Sequence, residues 1–207
     1  VIKLSLLSVF VPTFFLVSLT PGMCMTLAMV LGMTQGVRRT LWMMIGELVG
    51  VGLVAAAAGA GVATLMLRHP ELFSVFKWVG GAYLGYLGVM MWRSRGRMAI
   101  PLETLDTPKA SRRQLALQGF VTAVANPKGW AFFVALLPPF LDASLPLASQ
   151  LLALVGVILL IEFLCLLLYA GGGRTARQLL GESTHVRLLN RIAGSLMVGV
   201  GAWLAFG

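Results

Sequence analysis

No charged residue occurs between Lys3 and Arg38, yet the apolar run between them is cut by Thr20-Pro21-Gly22. The hydrocarbon core of a bilayer is about 30 Å thick and takes about 20 residues of helix. The run near residues 6–34 would reach roughly 44 Å as one regular helix at 1.5 Å per residue. Proline removes a backbone donor and clashes with the preceding turn, so the run is expected to break at Pro21-Gly22. A second interruption, Asn126-Pro127-Lys128, falls inside another apolar run. Apolar segments interrupted at corresponding places in two halves of a membrane protein point to a substrate site, because unwound backbone there faces a ligand instead of lipid.

Of 207 residues, 58% are hydrophobic and 11% charged; a soluble fold could not cover that much apolar surface. The expected fold class is an all-α integral membrane protein. Charge-free runs place six spans near residues 6–34, 40–67, 71–92, 114–138, 147–171 and 189–206. The first run is too long for a signal-peptide core and has no A-x-A site, so it is expected to stay attached. Three spans per half force the second half to enter from the opposite face. The reading is therefore two inverted three-helix repeats, 1–92 and 114–207, each with a broken first helix, joined by a basic cytoplasmic linker at 93–113.

A net charge of +9 would suggest nucleic acid in a soluble chain. Here the basic residues sit in the connections, so nucleic-acid binding is excluded and the charge is read as topology. Lys3, Arg68 and Lys77 fall on one face, and twelve basic residues, from Arg38 to Arg191, on the other. The basic face is expected in the cytoplasm, with both termini outside. Lipid is the surrounding partner, and the linker is a secondary candidate for anionic headgroups. A homodimer is compatible with this layout.

Each half places one carboxylate in its second span, Glu47 and Glu162. An ionisable group there costs about 2.5–3.5 kcal/mol on insertion scales and is expected to face a wet interior. Lys128 lies too deep to snorkel easily, and either meets a substrate carboxylate or pairs with a glutamate. Pro21, Gly22, Asn126 and Pro127 complete the candidate site: carbonyls freed by the prolines suit an ammonium, and restarted helix N-termini suit a carboxylate. A zwitterionic amino acid offers both. Trp42, Trp78, Trp92 and Trp203 read as interface anchors, Trp130 as a cavity wall or packing group, and His69 and His185 as solvated. No cofactor or metal set is expected. Cys24 and Cys165 are the two cysteines.

The order and spacing of several motifs resemble the LysE/RhtB family of bacterial amino-acid exporters along nearly the whole chain. They are Thr20-Pro21-Gly22, Gln35-Gly36-Val37-Arg38-Arg39, Gly46-Glu47-Leu48-Val49, Phe76-Lys77-Trp78-Val79-Gly80-Gly81-Ala82-Tyr83-Leu84, and Asn126-Pro127-Lys128-Gly129 with Phe132-Phe133 and Leu137-Pro138. The resemblance implies a cytoplasmic-membrane exporter of amino acids or close derivatives, coupled to protons, and not an enzyme. It carries Pro21 and Gly22 onto the first-span motif, Asn126, Pro127 and Lys128 onto the fourth, and Glu47 onto an acidic position. The chain departs from the family in having Met23 in place of a proline and Gly50 where a histidine is frequent. Two other classes remain at this point: a membrane thiol–disulfide conductor using Cys24 and Cys165, and a non-transporting scaffold or channel.

Overall fold

The computed structural model describes residues 4–93, 110–142, 144–181 and 183–206. Among these, regular structure is entirely helical. The helices are α1 (Leu4–Leu19), α2 (Met23–Gln35), α3 (Val37–Arg68), α4 (Pro70–Arg93), α5 (Arg112–Val124), α6 (Pro127–Leu136), α7 (Leu147–Gly181) and α8 (Ser183–Phe206), with a 3-10 turn at Pro138–Phe140. Most of the 93–113 linker lies outside the described residues.

The expected breaks are present. α1 and α2 meet at Thr20-Pro21-Gly22 with a bend of 57°, and α5 stops at Val124 before α6 restarts at Pro127. Proline suits that restart, because the first helical position has no donor to lose. Ser111 begins α5 with a reciprocal cap: its hydroxyl accepts from the Gln114 amide, and the Gln114 side chain accepts from the Ser111 amide. Between α2 and α3 the chain reverses at Gly36, whose φ of +82° is the one positive value among the described residues.

By length and apolarity, α3 and α7 suffice to cross a membrane, and α1 with α2 makes a third candidate as one bent span. α4 carries Glu71, Lys77 and Arg93, and α8 begins with Arg187 and Arg191. α7 runs ten residues past its expected end, and α8 starts six residues before its expected start. The expected boundaries followed the charges, whereas arginine, leucine and alanine are good helix formers and carry α7 onward past its apolar run. His185, expected in a connection, lies on α8.

α4 packs chiefly on α8, α3 on α5, and α2 on α7. The α4–α8 crossing is built on glycine. A Cβ on Gly81 would fall 2.5 Å from the Gly201 carbonyl oxygen, and one on Gly88 would fall 2.5 Å from that of Gly194. Only glycine lets backbones approach so closely. At the other two crossings, a Cβ on Gly46 would overlap the Ala116 carbonyl, one on Gly119 that of Met43, and one on Gly32 that of Ala170.

Candidate functional site

The two breaks and the two intramembrane carboxylates converge on one cavity of about 80 Å³, several times the ~10–15 Å³ that one water needs. α1 contributes Phe14, Val17 and Ser18; the first break and α2 contribute Thr20, Gly22, Met23, Cys24 and Met25. Glu47, Val51 and Val54 come from α3, and Glu162 from α7. Ala123, Asn126, Gly129, Phe132 and Phe133 complete the lining around the second break.

Glu47 is fully buried, and neither carboxylate oxygen has a hydrogen-bond partner among the described residues. Glu162 and Cys24 lie within electrostatic reach of it. Glu162 is held differently: the Ser18 hydroxyl donates to its Oε2 at 2.6 Å. Removing a charge from water costs several kcal/mol unless it is paired. An unpartnered carboxyl at a cavity wall is therefore a place for a proton or a cationic group.

The backbone at the breaks is better satisfied than sequence reasoning expects. Pro21 cannot donate to the carbonyl of Val17, and the Thr20 hydroxyl does so at 2.5 Å. The Leu19 carbonyl accepts from the Tyr169 hydroxyl at 2.7 Å. At the second break the Asn126 amide donates to the Ala123 carbonyl at 3.2 Å, and the Trp130 indole donates to that of Val124 at 2.9 Å. Protein donors thus occupy the Val17, Leu19, Ala123 and Val124 carbonyls, and the Glu47 carboxyl is an unpartnered acceptor at the cavity. Trp130 is 39% exposed and acts as a cap on α5, not as a wall of the cavity. No side chain caps the N-terminus of α2 at Gly22, so amides of its first turn remain as an anion-favouring end.

Of the residues singled out from sequence, Gly22, Glu47, Asn126 and Glu162 line the cavity. Pro21 sits in the turn between α1 and α2. Pro127 and Lys128 open α6 by their backbone, while their side chains lie outside the described residues. Cys24 lines the cavity and Cys165 does not; both are free thiols. Sequence reasoning missed Ser18 and Tyr169. Their signal was weak: a hydroxyl near the break, and a tyrosine seven residues, about two turns, beyond Glu162 on α7.

Comparison with known proteins adds a lineage. The model of the LysE type translocator family matches residues 15–207. A homoserine/homoserine lactone efflux protein of Salmonella typhimurium is 32% identical over 92% of this chain and 91% of its own. A leucine efflux protein of an Enterobacter species is 29% identical, over 92% of this chain and 90% of its own. No solved structure matches significantly.

Proposed function

This chain belongs to the LysE type translocator family, and from that premise we propose that it is a secondary active exporter of amino acids or close derivatives across the bacterial cytoplasmic membrane. The observation that carries the proposal is Glu47: fully buried, unpartnered, and facing a cavity between two broken segments. Relatives named for homoserine and leucine efflux make those the first cargo to test.

In this reading the protein has six spans, α1 with α2, α3, α4, α5 with α6, α7 and α8, arranged as inverted halves 1–92 and 114–207 about the basic linker 93–113. Helix packing supports it. The broken segment of each half rests on the second helix of the other, α1 and α2 on α7, α5 and α6 on α3. The α4–α8 glycines support it as well, since Gly81 faces Gly201, Gly88 faces Gly194, and both pairs are spaced by seven residues. The excess of basic residues at the start of α3, the end of α4, the start of α5 and the adjoining ends of α7 and α8 supports an orientation with those ends in the cytoplasm and both termini outside.

The cargo ammonium and a proton take turns at Glu47, while the cargo carboxylate meets the uncapped end of α2. Binding one expels the other, which is the requirement for antiport, and rocking of the halves exposes the cavity to each side in turn. Glu162, fixed by Ser18, shapes the field in which that exchange occurs. The thiol–disulfide reading is not favoured, because one cysteine lines the cavity and the other does not.

Purified protein in vesicles with an imposed pH gradient tests the proposal. Saturable flux of homoserine or leucine that collapses with a protonophore is expected. No gradient-dependent flux of any amino acid, ester or lactone would remove it.

A further inference from the structure

The cavity is bounded by different packing on its two sides. Toward the arginine-bearing ends of α3 and α5, backbone lies on backbone through Gly46, Gly119 and Gly32. Toward the start of α1, the wall is made of rings. Phe14 on α1 lies 5.8 Å from Phe132 and 6.0 Å from Phe133 on α6. Behind it Phe10 stacks on Phe14 at 5.7 Å and meets Phe140 edge-on at 4.9 Å.

All five rings are buried, and Phe14, Phe132 and Phe133 also line the cavity. The cluster therefore spans from the cavity wall to the segment following α6. Ring contacts open by rotation between staggered side-chain states; the glycine contacts yield only if whole helices separate. Pro12 lies between Phe10 and Phe14 and removes a donor from the α1 ladder, which lets that half-helix bend.

We infer that Phe14, Phe132 and Phe133 form the outer gate of the exporter, the aromatic door through which cargo leaves the cavity. This rests on the export reading and its orientation. The gate opens by ring displacement on α1 and α6, and the cytoplasmic end opens by movement of the glycine-packed helix pairs.

Cys24 provides a native reporter, because it lines the cavity and becomes the single thiol once Cys165 is replaced by serine. The experiment measures its labelling by a membrane-impermeant methanethiosulfonate in right-side-out and everted vesicles. Phe14→Ala with Phe132→Ala is expected to raise the labelling rate from the outer face by about tenfold, the scale of two lost ring contacts, and to leave the cytoplasmic rate unchanged. Phe15→Ala, outside the ring cluster, is expected to change neither. Equal monodispersity in detergent shows that the variants remain folded; if Phe14→Ala with Phe132→Ala fails that check, Phe14→Leu carries the same expectation. Labelling unchanged from both faces would overturn the gate. A rise from the cytoplasmic face alone would overturn the orientation. Outer labelling that rises as expected in a protein without amino-acid flux would uphold the gate and overturn the export reading instead.

Discussion

Ser18 on α1 donates a 2.6 Å hydrogen bond to Glu162 on α7, so the approach to the first break is tied to the carboxylate of a helix 144 residues further along the chain. Motion of α1 relative to α7 must strain or break this bond.

Hydrogen bonds to charged groups contribute about 1.5–3 kcal/mol, and this one is only part-buried. Ser18→Ala is therefore expected to raise the cargo KM about tenfold, near the lower end of that range, with Ser18→Thr close to wild type. Glu162→Gln combined with Ser18→Ala should be no worse than the more damaging single variant. Additive losses in flux would show that the two residues act independently.

The proposed competition at Glu47 sets a sign for pH dependence. A lower pH favours the proton, so in exchange assays without a gradient the cargo KM should rise as pH falls. Glu47→Gln removes both the proton site and the ammonium site. It should lose gradient-driven flux and exchange together, at wild-type expression and monodispersity. A Glu47→Gln protein that retains proton-driven export would place the coupling group elsewhere.

Local signals made much of this legible. Pro21 and Pro127 mark the breaks because a missing donor acts on its own helix, and Glu47 and Glu162 stand out because a carboxylate in an apolar run needs a reason. Their meeting in one cavity comes from the packing of α3 against α7. What is attached at the breaks was not legible. Which donors reach Leu19 and Val124 is decided by the packing of α7 and by the turn into α6, and neither leaves a periodic trace in the chain. Helix ends were misplaced for a related reason: charge marks where lipid ends, not where helix ends.

The satisfied breaks predict modest, separable losses. Tyr169→Phe leaves the Leu19 carbonyl without its 2.7 Å donor, and Trp130→Phe does the same to Val124. Each should lower stability by about 1–3 kcal/mol, the penalty for an unsatisfied buried group. The Trp130 loss should fall at the low end, because that side chain is partly exposed. Thermal unfolding in detergent measures both, and a Tyr169→Phe protein as stable as wild type would mean that water or another donor replaces the hydroxyl.

Close glycine packing predicts contrast within one helix. A Cβ on Gly46 would overlap the Ala116 carbonyl, while one on Gly61 has nothing within 4 Å. Gly46→Ala should cost about 1–3 kcal/mol as overpacking. Gly61→Ala should be neutral, or stabilise by up to about 1 kcal/mol through helix propensity. Equal behaviour of the two in thermal unfolding would mean that α3 and α5 are not in backbone contact.

Gly36 separates backbone strain from crowding. A Cβ there would meet nothing within 4 Å, but φ is +82° and ψ is 153°. That combination lies outside the left-handed helical well that asparagine tolerates, in a region that is essentially glycine's own. Gly36→Ala should therefore cost about 1–3 kcal/mol although it touches nothing. Gly36→Asn should fare no better, whereas at a left-handed helical turn it would recover much of the loss. Thermal unfolding of the two variants side by side decides the matter, and a stable Gly36→Asn protein would show that the turn between α2 and α3 has a different backbone conformation.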